Sequence, residues 1–106
     1  MQSKTYAYIR VSSKDQNEAR QVKEVLKFGV EKSNIIIEKA SGKNLNRSKY
    51  RGLVSRLKTG DTLYINSIDR LGRDYSGIIN EWYRLTNEQK IIIKVLEFVF
   101  IGDKAL

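Results

Sequence analysis

The feature that most constrains the fold is an alternation of strand-like and helix-like segments along the chain. Four short runs rich in β-branched and aromatic residues predict strands, at residues 4–11, 34–39, 62–65 and 90–96. Amphipathic stretches between them predict helices at residues 14–28, 48–58 and 75–89. The order β-α-β-α-β-α-β predicts one α/β domain. Its sheet would be mainly parallel, with four or slightly more strands and helices on both faces.

A few residues predict where elements begin and end. Ser13 and Gln16 form a capping-box pattern at the start of the first helix. Gly29 is a candidate C-cap for that helix, and Asp74 is a candidate N-cap for the third. The apolar stretch Phe98–Ile101 is expected either to continue the last strand or to form an exposed edge.

The composition excludes several kinds of chemistry. The chain contains no cysteine and no histidine. Disulfides, thiolate metal sites and cysteine nucleophiles are therefore excluded, and the usual neutral-pH general base is absent. Any catalysis has to use serine, threonine, tyrosine, carboxylate, lysine or arginine side chains.

The charge is large and unevenly distributed. The net charge is +8, and residues 1–73 hold sixteen lysines and arginines against seven acidic residues. Residues 74–106 hold four against five. This asymmetry favours a polyanionic partner such as nucleic acid, although a solvated lysine-rich surface would have the same composition. No apolar run approaches the ~20 residues that span a bilayer, so we expect no membrane partner and a cytoplasmic location.

Polar residues follow each of the first three predicted strands. In parallel α/β sheets, ligands collect beyond the carboxyl ends of the strands. The residues at those positions are Arg10, Ser12 and Ser13, then Ser41, Gly42 and Arg47, then Asp69, Arg70 and Arg73. Arginine forks bind phosphate through parallel hydrogen bonds, and a serine hydroxyl can act as a nucleophile when it is activated. The rim therefore resembles a phosphate clamp that needs no metal.

Structural roles also fit these residues individually. Ser12 and Ser13 are good helix N-caps, and Asp69 could be a cap as well. Arg70 and Arg73 are three residues apart and could share the exposed face of a helical turn. The joint arrangement favours the phosphate site, and no single residue decides it.

Three motifs resemble, in order and spacing, those of the resolvase/invertase family of serine recombinases. They are YIRVSS at 8–13, then SG at 41–42 with Arg47 and GL at 52–53, and then GDTLYI at 60–65 leading into DRLGRD at 69–74. The resemblance covers about residues 4–90 and implies the resolvase catalytic-domain fold.

The resemblance also implies a role for each matching residue. Ser12 would attack a DNA phosphodiester and form a 5′-phosphoserine link. Asp69 would handle protons or orient the arginines, and Gln21 would support the site from the inward side of the first helix. Ser13 would be a cap or a phosphate contact. The residues that would hold the scissile phosphate are Arg10, Arg47, Arg70 and Arg73. Arg56 and Glu38 are weaker supporting candidates. No metal or nucleotide cofactor is implied, because rejoining uses the energy kept in the phosphoserine ester.

The family pattern continues beyond this length, with a dimerisation helix and a DNA-binding region. We therefore expect residues 1–106 to be a truncated catalytic domain. The intact protein is expected to form a homodimer and a synaptic tetramer on double-stranded DNA. It would be bacterial or encoded by a mobile element, and associated with the nucleoid.

Two alternatives remain open. One is a non-catalytic remnant or regulatory fragment that keeps the fold and associates with DNA or a partner. The other is an unrelated doubly wound module that binds a nucleotide or flavin, although the chain lacks both G-x-G-x-x-G and G-x-x-x-x-G-K-[ST].

Overall fold

The computed structural model describes residues 3–11, 18–39, 47–72, 74–96, 100–101 and 104–105. Its strands are β1 (Thr5–Val11), β2 (Ile35–Lys39), β3 (Thr62–Ile65), β4 (Ile92–Val95), β5 (Phe100–Ile101) and β6 (Lys104–Ala105). Its α-helices are α1 (Glu18–Lys27), α2 (Ser48–Arg56) and α3 (Tyr75–Tyr83). Short 3₁₀ turns cover Lys32–Asn34 and Ile68–Leu71, and a π-helical segment, Arg84–Glu88, continues α3. In this part of the chain, no helix has the length and apolar character needed to cross a membrane.

The four main strands form one parallel sheet in the order β2-β1-β3-β4. This confirms the predicted fold class. The chain passes from β1 to β2 on one side of β1 and then crosses to β3 on the other side, so the strand order reverses between β1 and β3. Such a switch point opens a crevice at the carboxyl ends of the two strands, where ligands bind in doubly wound folds.

The core has two layers, one on each face of the sheet, because β1 is buried on both sides. Tyr6 and Tyr8 of β1 point into the layer that α2 and α3 cover. Ala7, Ile9 and Val11 point into the layer that α1 covers. Successive strand residues face opposite sides, and the predicted placement of helices on both faces is confirmed.

The helix ends follow the local chemistry of the sequence. The side chain of Asp74 accepts a hydrogen bond from the Gly77 N–H at 2.8 Å, which confirms it as the N-cap of α3. Gly29 has φ +91°, so it supplies the left-handed residue that ends α1. Ser13 and Gln16, and with them the predicted start of the first helix, lie outside the described residues.

Of the two alternatives for Phe98–Ile101, continuation of the last strand is wrong for the part that the structure describes. Phe100–Ile101 pairs antiparallel with Lys104–Ala105 in a separate two-stranded sheet. The two strands are close in sequence, and their antiparallel pairing satisfies backbone groups without β4.

Gly72 provides a test of how tightly the turn after β3 packs on α3. A Cβ at Gly72 would lie 2.8 Å from the Gly77 carbonyl carbon and 2.8 Å from the Ile78 nitrogen, and both atoms belong to the backbone. We expect Gly72→Ala to lower the free energy of unfolding by about 1–3 kcal/mol, the usual cost of overpacking. Urea denaturation measures the change.

Gly52 is the matched control, because a Cβ there meets nothing within 4 Å and the residue lies inside α2. Gly52→Ala should raise the free energy of unfolding by about 0.5–1 kcal/mol, since alanine loses less conformational freedom in a helix. Equal stability of Gly72→Ala and the unmodified chain would contradict the close packing.

Candidate active site

The switch point between β1 and β3 carries the polar residues that follow these strands. Arg10 lies one residue before the end of β1 and is partly buried. Asn66 and Ser67 follow β3 directly and are both buried. The 3₁₀ turn Ile68–Leu71 then brings Arg70 to the same edge of the sheet.

Arg47 joins the start of α2 to this turn. Its guanidinium donates from Nη2 to the Arg70 carbonyl at 2.7 Å and from Nη1 to the Leu71 carbonyl at 3.1 Å. The Nε–H of Arg47 is also buried, and it donates to no acceptor among the described residues. Arg47 therefore fixes the position of the Arg70 segment and keeps one buried donor unused in the described part of the chain.

Glu38 takes the place of an N-cap side chain for α2. Arg47 occupies the N-cap position but makes no side-chain cap hydrogen bond. The Glu38 carboxylate, only 4% exposed, accepts from the Lys49 N–H at 3.0 Å and from the Tyr50 N–H at 3.2 Å. A carboxylate at this end is also favoured by the helix dipole. The α2 N-terminus is thus attached to the carboxyl end of β2.

Tyr8 links Glu38 to the central strand. Its hydroxyl donates to Glu38 Oε1 at 2.7 Å. Burial of the phenol is the main cause that raises the pKa of Tyr8 to about 12, and its hydrogen bond to the Glu38 carboxylate acts in the same direction. Hydrogen bonding to Arg47 and the positive charge of Arg47 oppose the shift. Tyr8 therefore remains a neutral donor at physiological pH.

Arg10 of β1 and Gln21 of α1 lie on helix-covered faces of the sheet, Arg10 on the face of Tyr8 and α1 on the opposite face. Arg10 pairs in register with Glu38 and projects to the same side of the sheet as Tyr8. Gln21 is 3% exposed, which agrees with the expected inward orientation. Helix α1 begins at the carboxyl edge of the sheet, as shown by the 3.9 Å distance between Glu18 Oε1 at its start and Lys39 Nζ at the end of β2. Gln21 Oε1 accepts no hydrogen bond from the described residues.

Of the other expected site residues, the structure describes the side chain of Arg56 alone, and it does not lie in this cluster. Arg56 ends α2 at the opposite, amino end of the sheet, where its guanidinium lies 5.8 Å from the centre of the Tyr6 ring. The Asp69 backbone belongs to the 3₁₀ turn, but its side chain is outside the described part of the chain. Also outside the described residues are Ser12, Ser13, Ser41, Gly42 and Arg73.

The structure adds residues that the sequence reasoning did not assign to the site. The sequence patterns place Tyr8 in the first strand and in the YIRVSS motif, and Tyr50 in the amphipathic stretch 48–58, without giving either side chain a role in the site. Buried tyrosines usually require a hydrogen-bond partner for the hydroxyl, and that requirement is the signal that could have identified both. Among the described residues, no three carboxylate side chains are grouped closely enough to hold a metal ion.

Comparison with known proteins decides the family. The family model described as "Resolvase, N terminal domain" matches residues 5–100. The chain belongs to the resolvase family. It is 34% identical over 105 residues to the transposon Tn501 resolvase of Pseudomonas aeruginosa, an alignment that covers 97% of the chain and 53% of that relative.

Two further resolvase relatives match over shorter stretches. The transposon Tn21 resolvase of Escherichia coli is 40% identical over 74 residues, covering 70% of the chain and 37% of the relative. A resolvase of Clostridium perfringens is 36% identical over 73 residues, covering 69% and 39%. The chain thus spans about half the length of the Tn501 resolvase, and its alignments cover less than half of the other two relatives.

In this resolvase-family domain, the capping role of Glu38 can be tested by Glu38→Gln. The substitution keeps the shape but replaces one acceptor oxygen with an amide donor, which would face another N–H or O–H group. We expect the free energy of unfolding to fall by about 1–3 kcal/mol, the cost of leaving buried groups unsatisfied. Urea denaturation at neutral pH measures it.

Glu31→Gln is the control, because Glu31 is exposed and makes no side-chain cap hydrogen bond at its 3₁₀ turn. Its effect should stay within about 0.5 kcal/mol. If both substitutions have the same small effect, Glu38 does not hold α2 in place.

Proposed function

We propose that this chain is the catalytic domain of a site-specific DNA recombinase that cleaves and rejoins double-stranded DNA through a 5′-phosphoserine intermediate. Ser12 is the nucleophile in this proposal. The phosphate is held by Arg10, Arg47, Arg70 and Arg73. Asp69 handles protons or orients the arginines, Gln21 supports the site, and Ser13 is a cap or a phosphate contact. Family membership and the transposon resolvases among the relatives support this proposal.

The observation that carries the proposal is the contact between two distant segments of the sequence motifs. The Arg47 guanidinium lies against the carbonyls of Arg70 and Leu71, although 23 and 24 residues separate them in sequence. The Arg47 Nε–H is buried and has no acceptor among the described residues, so this contact leaves one donor of the guanidinium unsatisfied. A phosphodiester bound at this edge of the sheet would supply acceptor oxygens for the arginine N–H groups there.

The proposed reaction exchanges one phosphoester bond for another. The Ser12 oxygen forms a bond to phosphorus, the bond from phosphorus to the 3′ oxygen breaks, and the 3′ oxygen leaves as a hydroxyl after receiving a proton. The serine proton passes to a carboxylate, or is lost more easily because the surrounding arginines favour the alkoxide. In the reverse direction, a 3′-hydroxyl attacks the phosphoserine and restores the DNA strand. The arginines stabilise charge on the phosphate oxygens in both directions.

Glu38 and Arg56, the weaker candidates, have different places in this proposal. Glu38 acts by holding the α2 N-terminus and thus Arg47 next to the site. Arg56, at the other end of α2, would at most contact DNA away from the scissile phosphate. The net charge of residues 1–73 supports a polyanionic partner.

The homodimer and synaptic tetramer of the intact protein belong to the same proposal, as does association with the nucleoid. Helix α3 leaves Tyr75, Ile79 and Tyr83 exposed. These residues are four apart, so they lie along one side of the helix. An apolar stripe of this kind is typical of a surface that contacts another chain, which supports self-association.

The nucleophile is tested by Ser12→Ala. Overlapping short duplexes, nicked at successive positions and tiling the DNA on both sides of the coding sequence, serve as probes. We expect a covalent protein–DNA adduct on a denaturing gel with the unmodified serine, and none with Ser12→Ala at unchanged thermal stability. The assay is run on this chain and on the longer product if the reading frame continues.

Ser13→Ala is the matched control and should keep the adduct. Trypsin cleaves after Arg10 and Lys14, so both serines fall on one peptide and fragmentation has to locate the nucleotide. An adduct that persists in Ser12→Ala would make Ser13 the nucleophile. Absence of any adduct from either length of chain, on a duplex that it binds, would favour the non-catalytic fragment.

The phosphate contact is tested by Arg70→Lys. A lysine keeps the charge but cannot reproduce the two parallel hydrogen bonds of a guanidinium. We expect the rate of adduct formation to fall by about 10²–10³-fold, as when one oxyanion donor is removed. Single-turnover cleavage measures it. Arg20→Lys on the exposed side of α1 should leave the rate unchanged, and equal rates for both variants would remove Arg70 from the phosphate site.

A further inference from the structure

The Arg47 guanidinium rests on an aromatic ring. Its Cζ atom lies 4.0 Å from the centre of the Tyr50 ring, a distance typical of a cation–π contact. The contact covers one face of the guanidinium, while two carbonyls accept from its Nη atoms. The ring therefore fixes the plane in which Arg47 can donate its remaining N–H groups.

The Tyr50 ring is itself held from α3. Its hydroxyl donates a hydrogen bond to Glu81 Oε2. Arg84 donates two hydrogen bonds to the same carboxylate, one from Nη2 to Oε2 at 2.6 Å and one from Nε to Oε1 at 3.0 Å. A continuous chain of side-chain contacts thus runs from Arg84 through Glu81 and Tyr50 to Arg47.

Tyr50, at the middle of this chain of contacts, is packed in the core. The Tyr50 side chain is buried, and its ring packs edge-on against Tyr8 with the centres 5.0 Å apart. Burial, and then the hydrogen bond to Glu81, raise the pKa of Tyr50 well above its ordinary value, so the hydroxyl stays a donor. The contacts line a groove of about 710 Å³ between α2 and α3 that also contains Leu71 and Gly72.

We propose that Tyr50 is a positioning residue for the phosphate site, and that Glu81 and Arg84 of the α3 region set the orientation of Arg47 through it. Arg47 would touch the phosphate, whereas Tyr50 acts through Arg47. The expected effect of Tyr50 on DNA cleavage rests on the proposed function, whereas its expected effect on the orientation of Arg47 does not.

Hydrophobic packing alone does not require this arrangement. Position 50 lies in the apolar stripe of α2, and an aliphatic side chain would satisfy that stripe. Such a residue could neither place a π face under Arg47 nor bond to Glu81. The tyrosine thus makes α3 a direct determinant of the geometry at the carboxyl ends of β1 and β3.

The test compares Tyr50→Leu and Tyr50→Phe, with Val54→Ala as the matched control. Val54 lies in the same helix, is partly buried and lines the same groove. One readout is the Nε–H NMR signal of Arg47 in the DNA-free protein, identified by its loss in Arg47→Lys. The other is the single-turnover rate of adduct formation, with DNA affinity measured separately.

In Tyr50→Leu, the Arg47 signal should lose its ring-current shift, and the rate should fall about tenfold, the range of a cation–π contact. DNA affinity should stay within about twofold, because many phosphate contacts contribute to it. Tyr50→Phe keeps the ring but loses the hydrogen bond to Glu81, so we expect intermediate changes in the Arg47 signal and in the rate. Glu81→Ala should match Tyr50→Phe, whereas Glu81→Gln, which retains an acceptor, should stay close to the unmodified chain.

The proposal would be overturned if Tyr50→Leu and Val54→Ala gave the same Arg47 Nε–H shift and the same rate of adduct formation. If Tyr50→Leu does not fold, equality of Tyr50→Phe and the unmodified chain in both readouts would overturn it instead. If the unmodified chain forms no adduct, the proposed function fails, and the NMR signal alone decides whether Tyr50 positions Arg47.

Discussion

The hydrogen bonds that the buried Glu38 carboxylate accepts are the interactions on which the candidate site depends. It accepts from the Tyr8 hydroxyl of β1 and from two backbone N–H groups at the start of α2. Since Glu38 itself belongs to β2, one side chain joins two strands and a helix. Burying a carboxylate without hydrogen bonds would destabilise the fold, and each hydrogen bond that Glu38 accepts offsets part of this desolvation cost. Arg47 immediately precedes α2, so the position of that helix decides where Arg47 lies.

From this anchor the contacts extend across the carboxyl edge of the sheet. Arg47 donates to the carbonyls of Arg70 and Leu71, and its guanidinium stacks on Tyr50. Gly72 then lies against the first turn of α3 so closely that no Cβ would fit. Helices α2 and α3 thus hold the same short turn from two sides. The proposed phosphate site needs such preorganisation, because its donors have to be oriented before the charge develops.

The sequence predicted the features that arise from local patterns. The strand and helix order, the Asp74 cap and the Gly29 C-cap depend on residues close in sequence, and the structure confirms them. The cap of α2 could not be predicted in this way, because the N-cap residue is Arg47 and the capping carboxylate comes from another strand. Nor could the pairing of Tyr50 with Glu81, which are 31 residues apart. The catalytic roles of all the site residues stay predictions, and Ser12, Arg73 and the Asp69 side chain also lie outside the described part of the chain.

The central position of β1 has a consequence for how the domain forms. The first strand pairs with β2, about 28 residues later, and with β3, about 57 residues later, as in Ala7 with Ile35 and Thr5 with Thr62. No strand of this sheet pairs through a local hairpin, so every ladder closes a long loop before its contacts stabilise it. Folding should accordingly be slow for a domain of this size, and β1 emerges from the ribosome long before its partners exist.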